Sequence, residues 1–306
     1  ARRYCKIKEK TILWEAFNGR GVLDNPKALF EAMLADPDFK DWKHIWVLDD
    51  LKECEALQKS FKCNRKVHFV GWRSVSYFYG LATAKCLVSN GLFMLNFCKR
   101  KEQIYINTWH GIPLKQMGVS EDRIRASSQI KEFLSIDYLL SASSFQTIVY
   151  QQDFGLGALF NGEIVEKGHP RLDTFLNMNR EKTFALLKSA NVKLDSTKKL
   201  IVYAPTWRGE KFTSPEISID SLLEVKARLE SIVDTTQWQV LIKPHQIVYN
   251  TAREQFKDLD FMIPATIDAN EVLAITDVLV SDFSSIFYDF LLTKRPIVFY
   301  IPDLEE

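Results

Sequence analysis

The chain has 306 residues and a mass of 35.4 kDa, of which 46% are hydrophobic and 26% charged. These values are typical of a globular protein of about two domains and exclude disordered, fibrous and collagen-like classes. No run approaches ~18 consecutive apolar residues, so no membrane-spanning helix is predicted. The basic segment Ala1–Lys10 lacks the apolar core of a signal peptide. The five cysteines show no CxxC spacing, so we expect reduced thiols rather than disulfides or a zinc site.

The net charge of +1 conceals an uneven distribution. Residues 1–170 carry 24 basic against 19 acidic side chains, whereas residues 171–306 carry 16 against 20. Within 52–101 there are ten basic residues and only two acidic ones. This excess predicts an anionic partner, such as a polyanion, a phosphorylated acceptor or an acidic membrane surface, with a solvated lysine face as the alternative. No helix-turn-helix, zinc-finger or RNP pattern accompanies it, so nucleic acid is not predicted as a partner.

Short β-like runs alternate with longer amphipathic stretches, which predicts an α/β fold with parallel sheets. Strands are predicted, in chain order, at Thr11–Phe17, His44–Leu48, Lys66–Val70, Cys86–Ser89, Gln103–Asn107, Tyr138–Ser141, Leu200–Tyr203, Gln239–Ile242, Val278–Val280 and Pro296–Tyr300.

Two helix starts are clear in the sequence. Asp24-Asn25-Pro26 predicts an Asx cap with proline at the first helical position. Asp282-Phe283-Ser284-Ser285 predicts a second start, with Asp282 as the cap, for a helix over Ile286–Leu292. A polar, charged stretch at Thr174–Thr197 divides the chain into predicted domains at 1–175 and 176–306.

Polar motifs follow several of these strands, where α/β enzymes place their sites. His110 stands in a tight loop, Thr108-Trp109-His110-Gly111, directly after a strand. Histidine is suited to accepting a proton near pH 7. The alternative is a loop histidine that only bonds a backbone carbonyl.

Three further motifs suit an anion. Arg208 follows a strand and offers a planar, permanently charged fork. Lys243 and His245, on either side of Pro244, can both donate to an anion. The segment Ser281–Ser285 combines hydroxyls with a helix start and can cradle a phosphate. For each, solvated side chains or an ordinary cap is the alternative.

Other histidines are predicted to be structural. Gly168-His169-Pro170-Arg171 is either a fifth functional element or a turn into the next helix, and the turn is favoured. His44 and His68 are expected to be packed. No GxxxxGK[ST], GxSxG, HExxH or convincing GxGxxG pattern occurs, which disfavours nucleotide hydrolases, esterases, metalloproteases and dehydrogenases.

The order and spacing of these motifs resemble the CDP-glycerol glycerophosphotransferase family, the teichoic-acid primases and polymerases and related capsule polymerases. The resemblance spans nearly the whole chain. It is carried by Phe17-Asn18-Gly19, Asp24-Asn25-Pro26, the segments 108–118 and 168–173, Tyr203-Ala204-Pro205-Thr206-Trp207-Arg208, Lys243-Pro244-His245 and the segment 281–289. His169 departs from the family pattern, which often has tyrosine there.

The resemblance implies a GT-B-like architecture of two Rossmann-like domains facing across a cleft, the second holding the nucleotide. It implies transfer of glycerol phosphate, or a related polyol phosphate, from a CDP-polyol to an acceptor hydroxyl of a teichoic-acid-like or capsular polymer, with release of CMP. It also implies that further C-terminal helices follow residue 306.

Residue roles follow from the same resemblance. His110 would be the general base, and His245 the second catalytic residue, which with its neighbours clamps the pyrophosphate. The donor side would comprise Thr206, Arg208, Lys243, Asp282, Ser284 and Ser285. The acceptor side would comprise Asn18, Asn25, Gly111 and Lys115.

The expected partners are a CDP-polyol, a polyanionic or lipid-linked glycan and an acidic membrane surface. We therefore expect a cytoplasmic protein at the inner face of the cell membrane. No protein metal site is predicted, and the sequence leaves open whether Mg²⁺ accompanies the donor diphosphate. Two alternatives to this function remain, a GT-B glycosyltransferase that uses a sugar nucleotide and a non-catalytic module that binds a glycan or polyanion.

Overall fold

The computed structural model describes residues 5–51, 59, 61, 64, 66–94, 97–114, 118, 129–206, 219–245, 248–249, 252 and 259–302. Its contacts divide the chain into two compact units, residues 1–173 and 174–306. The sequence pattern places the same division between residues 175 and 176.

The first unit is built on a seven-stranded sheet in the order β3-β2-β1-β4-β5-β6-β7, in which every pair is parallel. Its strands are β1 (Lys8–Glu15), β2 (Lys43–Leu48), β3 (Val67–Gly71), β4 (Ala84–Ser89), β5 (Ile104–Asn107), β6 (Tyr138–Ser141) and β7 (Glu163–Glu166). Its helices are α1 (Asp24–Ala35), α2 (Val75–Thr83) and α3 (Ser144–Gln152), and α4 (Pro170–Leu176) leads on to the second unit.

Both faces of this sheet are covered, which explains why its strands read as continuous apolar runs. Successive side chains of a strand point to opposite faces. Trp14 of β1 therefore packs with Phe30 of α1 on one face, while Leu13 packs with Tyr77 of α2 on the other. Because both faces are packed, polar side chains that bind or react with a ligand are expected at the ends of the strands.

The second unit repeats this plan with four parallel strands in the order β11-β10-β8-β9. Its strands are β8 (Lys199–Ala204), β9 (Trp238–Ile242), β10 (Val278–Ser281) and β11 (Ile297–Phe299). Its helices are α5 (Arg180–Ser189), α6 (Ile219–Ile232), α7 (Ala269–Ile275) and α8 (Ile286–Phe290). Leu200 packs against α5 and α7 on one face, and Ile201 packs with α6 on the other.

The predicted strands are confirmed, but two local expectations are wrong. β7 was missed because Ile164 and Val165 are its only apolar residues. His44 is packed as expected and accepts a hydrogen bond from Trp14, whereas His68 is exposed because it lies on the edge strand β3.

Within the described residues, Cys5, Cys86 and Cys98 are free thiols. No helix in that part of the chain combines the length and apolar character needed to cross a membrane.

The last residue of β1 is a buried carboxylic acid. Glu15 is 1% exposed, and its Oε2 atom has no hydrogen-bond partner among the described residues. Burial raises the pKa of Glu15 to about 7, and the nearby Tyr77 hydroxyl opposes only part of that rise. The ionised form is therefore disfavoured in the folded state.

Replacing Glu15 tests whether its ionisation makes the stability of the fold depend on pH. In the unfolded chain Glu15 ionises at the ordinary glutamate pKa of 4.5, whereas in the folded chain its pKa is about 7. The free energy of unfolding of the parent should therefore fall by up to about 3 kcal/mol as the pH rises from 4.5 to about 7. Glu15→Gln should abolish that loss and be more stable than the parent at pH 8. Urea unfolding at a series of pH values measures the difference. The exposed Glu163→Gln variant is the control, and parallel curves for parent and Glu15→Gln would refute the assignment.

Candidate active site

A strained loop after β5 presents His110. Trp109 has a left-handed backbone (φ 50°), and its N–H donates to Asn107 Oδ1 at 2.9 Å. The Asn25 amide donates to the carbonyls of Thr108 and Trp109, at 3.2 and 2.9 Å. Left-handed non-glycine residues persist where surrounding contacts hold them, often at functional sites. The indole is buried, and the next side chain, His110, reaches solvent.

The contacts of the His110 ring define its tautomer. Nδ1 lies 2.7 Å from the main-chain carbonyl oxygen of Asn90. A carbonyl can only accept, so Nδ1 carries the hydrogen and Nε2 of the neutral ring is the proton acceptor. The ring packs beside Trp109 (centroids 4.6 Å apart) and meets the Phe17 ring edge-on at 5.8 Å. His110 therefore has the orientation and tautomer of a general base.

The surroundings of His110 also favour the neutral ring. Desolvation by the surrounding protein lowers the pKa of His110 below its ordinary value. The Asn90 carbonyl and the Asp24 carboxylate oppose this shift, and Arg171 adds to it. Because only the neutral ring can accept a proton, the lowered pKa keeps the base available at neutral pH.

The start of α1 differs from the predicted Asx cap. The N-cap residue is Leu23, and Asp24 itself has a left-handed backbone (φ 61°). The Asp24 carboxylate accepts hydrogen bonds from the Asn90 amide and, at 2.6 Å, from Arg171 Nη1. The capping prediction is wrong because the helix begins at Asp24 itself, so that Leu23, which has no side-chain oxygen, is the N-cap residue.

Two of the predicted acceptor-side residues support the loop. Asn25 is fully buried, with its oxygen accepting from the Arg171 N–H at 3.1 Å. Gly111 is buried, and its carbonyl accepts from Gln146 at 3.1 Å. Both residues are buried, and their assignment to the acceptor side stays a prediction. Asn18 is exposed in the turn after β1, and Lys115 lies outside the described residues.

The segment before α4 contributes more than the predicted turn. Pro170 begins the helix as expected, but Arg171 is buried and bonded to Asp24. His169 is also buried, and neither ring nitrogen has a hydrogen-bond partner among the described residues. Burial, helped by Arg171 and His110, lowers the pKa of His169 to about 3, so its ring is neutral at working pH.

In the second unit, the carboxyl ends of adjacent strands gather the predicted donor-side residues. Thr206 follows β8, Lys243 and His245 follow β9, and Asp282 follows β10. Since parallel strands end at one edge of a sheet, these residues share that edge. Arg208 lies outside the described residues.

Asp282 is not the predicted cap of α8, whose N-cap residue is Ser285. Asp282 is 1% exposed, and its carboxylate accepts from the main-chain N–H (2.7 Å) and the hydroxyl of Thr206. Asp282 thereby ties the loop after β8 to the loop after β10, and its contact with a phosphate stays a prediction. The N-cap of α8 is Ser285, and Ser284 and Ser285 are both half-buried.

Lys243 and His245 differ in their surroundings. Lys243 is half-buried, and its Nζ donates to the Pro264 carbonyl at 2.8 Å. Burial lowers the pKa of Lys243 to about 8, against an opposing effect of Asp268. His245 is exposed. In the described part of the chain, no group of three or more His, Cys, Asp or Glu residues could hold a metal ion.

Sequence reasoning did not connect Asp24, Asn90 and Arg171 with His110. A signal existed for one of them, because Asn90 directly follows a predicted strand. Asp24 and Arg171 are 147 positions apart, and no local pattern indicates their contact.

A family model described as CDP-Glycerol:Poly(glycerophosphate) glycerophosphotransferase matches residues 1–306. The chain belongs to this family. The resemblance seen in its motifs is confirmed, and with it the enzyme class, a glycerophosphotransferase.

Individual relatives agree with that assignment. The chain is 29% identical over 308 residues to the teichoic acid poly(glycerol phosphate) polymerase of Bacillus spizizenii, covering 97% of this chain and 75% of that protein. It is 28% identical over 310 residues to the polymerase of the same name from Bacillus subtilis, covering 98% of this chain and 40% of that protein.

Solved structures give the same picture of the fold. A variant of the wall teichoic acid polymerase TagF, soaked with CDPG, matches with a TM-score of 0.77 at 26% identity, covering 98% of this chain and 72% of that one. The UDP-GlcNAc 2-epimerase of Neisseria meningitidis matches with a TM-score of 0.55 at 9% identity, covering 97% and 84%. This second likeness concerns the fold alone. Together they confirm the predicted GT-B-like fold.

Removing the Asn25 side chain tests its support of the loop. Asn25→Ala leaves the buried carbonyls of Thr108 and Trp109 without their amide donor, so we expect a loss of roughly 3 kcal/mol in the free energy of unfolding. Urea denaturation measures it. The control is Asn18→Gly, which keeps a residue compatible with positive φ and should change stability by no more than about 0.5 kcal/mol. Equal effects of the two changes would contradict the assigned role.

Proposed function

We propose that this chain transfers glycerol phosphate from CDP-glycerol to a hydroxyl group of a poly(glycerol phosphate) acceptor and releases CMP. The observation that carries the proposal is the His110 contact: Nδ1 donates to the Asn90 carbonyl, which leaves Nε2 as a proton acceptor at the carboxyl end of β5. The family description and the names of the relatives supply the donor and the acceptor polymer.

In the proposed reaction, the acceptor hydroxyl oxygen attacks the phosphorus that carries glycerol. Its proton passes to Nε2 of His110 as the new P–O bond forms. The bond between that phosphorus and the bridging oxygen breaks, and CMP leaves with the electron pair. Such a transfer depends on positioning and charge stabilisation rather than on a covalent enzyme intermediate.

The departing phosphate gains negative charge, which the second unit would neutralise. His245 is exposed and can donate when protonated. Lys243, with a pKa of about 8, is mostly charged at pH 7. The hydroxyls of Ser284 and Ser285, which follow β10, would add uncharged donors.

Two parts of the expectation stay predictions. Association with an acidic membrane surface would bring the enzyme to a lipid-linked acceptor. No cofactor is required by the sequence, and the second prediction is that Mg²⁺ could accompany the donor diphosphate, bound through its phosphates. Sedimentation with anionic vesicles tests the first, and transfer in EDTA followed by added Mg²⁺ tests the second.

Ligand stabilisation tests the donor class. Melting temperatures of the chain would be recorded with CDP-glycerol, CDP-ribitol, CMP and a UDP-sugar. CDP-glycerol at 100-fold its Kd should add about 2.7 kcal/mol of stability, with a smaller effect of CDP-ribitol and none of the UDP-sugar. A response to the UDP-sugar alone would instead favour a sugar-nucleotide glycosyltransferase.

Substitution of the two histidines separates their roles. His110→Ala should lower transfer by about 10²- to 10⁴-fold while leaving stabilisation by CDP-glycerol intact. His110→Asn keeps a donor for the Asn90 carbonyl but no base, so it should be equally inactive. His245→Ala should weaken donor binding as well as the rate. The exposed His68→Ala variant is the control, and full transfer by His110→Ala would exclude His110 as the base.

A further inference from the structure

We propose that Asp24 is a positioning residue for His110 that acts through Asn90, and that Arg171 holds Asp24 in place. The inference rests on the proposed function, in which His110 is the base. It concerns a group that touches neither substrate nor His110, so its consequences can be tested separately.

Asn90 is the connecting residue. It is fully buried, and its main-chain carbonyl accepts from His110 Nδ1. Its side-chain amide donates to the Asp24 carboxylate, and its side-chain oxygen accepts from the Phe17 N–H at 2.9 Å. Any movement of Asn90 therefore moves the carbonyl that sets the tautomer and orientation of the base.

Asp24 has an unusual backbone for the start of a helix. Its φ of 61° is left-handed, a conformation that aspartate adopts more readily than most residues but that still carries strain. An ordinary N-cap needs an extended backbone and would direct the carboxylate to the helix N–H groups. Here Asp24 lies inside the helix, and its carboxylate accepts from Asn90 and Arg171. The strain is maintained because two buried donors fix the carboxylate.

Arg171 closes the arrangement. Its ion pair with Asp24 is almost fully enclosed, with side-chain exposures of 8% and 7%. A buried ion pair depends on both partners, because removing one leaves an uncompensated charge. The main-chain N–H of Arg171 is fixed as well, by Asn25. The carboxylate thus has little freedom to release Asn90.

The two charges of the pair act on His110 in opposite directions. Among the described residues, the titratable groups that influence the ring are Asp24, Arg171 and His169. Asp24 raises the pKa of His110 and Arg171 lowers it, while His169 is neutral because burial lowers its own pKa to about 3. Removing either charge therefore has an electrostatic effect of predictable sign.

The experiment compares Asp24→Asn with Arg171→Gln in the full chain. The pH profile of kcat/KM would be measured from about pH 5 to about pH 9, with kcat and KM for CDP-glycerol determined separately. Both variants should lose about 10- to 100-fold in kcat with little change in KM, because the base is misplaced. The acidic limb of the profile should move to lower pH in Asp24→Asn and to higher pH in Arg171→Gln. A shift in the same direction, or no shift, would overturn the inference.

Further variants guard against misfolding. Arg171→Lys keeps the charge and should restore the limb to the parent's position. The double variant Asp24→Asn, Arg171→Gln leaves no unpaired buried charge, so it should fold, with low kcat and a nearly unshifted limb. A parent-like kcat in this folded double variant would overturn the positioning role.

A matched control lies in the same unit. Lys99 and Asp137 form another ion pair, and Asp137→Asn should lower stability without moving the limb. A shifted limb in this control would mean that any lost ion pair produces the effect, and would overturn the inference. Failure of the proposed function looks different, since the parent chain would then show no transfer from CDP-glycerol. Failure of His110 as the base would show as full transfer by His110→Ala.

Discussion

A polar group withdrawn from water must find a partner, and this requirement organises the first unit around the start of α1. Asp24 and Asn25 are adjacent, buried and polar, and neither contributes to the apolar core. Their partners come from the loop after β5, the residue after β4 and the start of α4. Satisfying two side chains thus fixes the relative positions of four chain segments. The same hydrogen bonds set the position of His110.

The parallel sheets explain why the polar groups collect where they do. Because helices cover both faces of the first sheet, residues within its strands are committed to packing. The second unit follows the same rule, and the link between Asp282 and Thr206 joins two strand-end loops there. In both units a buried polar side chain holds one loop to another, and more exposed neighbours are left to meet ligands.

Sequence reasoning recovered what depends on local pattern. Apolar runs gave ten of the strands and the parallel class, because burial on both faces leaves a continuous signal. The His110 loop was found because a polar motif follows a strand. β7 was missed because an exposed edge strand needs few apolar residues. Residue types therefore predicted the secondary structure wherever apolar packing alone determines it.

Long-range pairing accounts for the errors. Asp24 carries the local signature of a helix cap, but a buried arginine distant in sequence offers a stronger partner. The cap predicted at Asp282 was wrong in the same way, since Ser285 is the N-cap residue and Asp282 accepts from Thr206, 76 positions earlier in the chain. In each case the residue and its location were correct, and the tertiary contact determined the role.

The spread of these contacts along the chain bears on biosynthesis. Residues 24, 90 and 171 all belong to the support of one imidazole. A nascent chain that ends before residue 171 can form the central strands but cannot complete that support. The base is therefore assembled only when synthesis of the first unit is nearly finished. A partly made chain would hold the histidine without the environment that orients it, which ties the appearance of activity to the completion of folding.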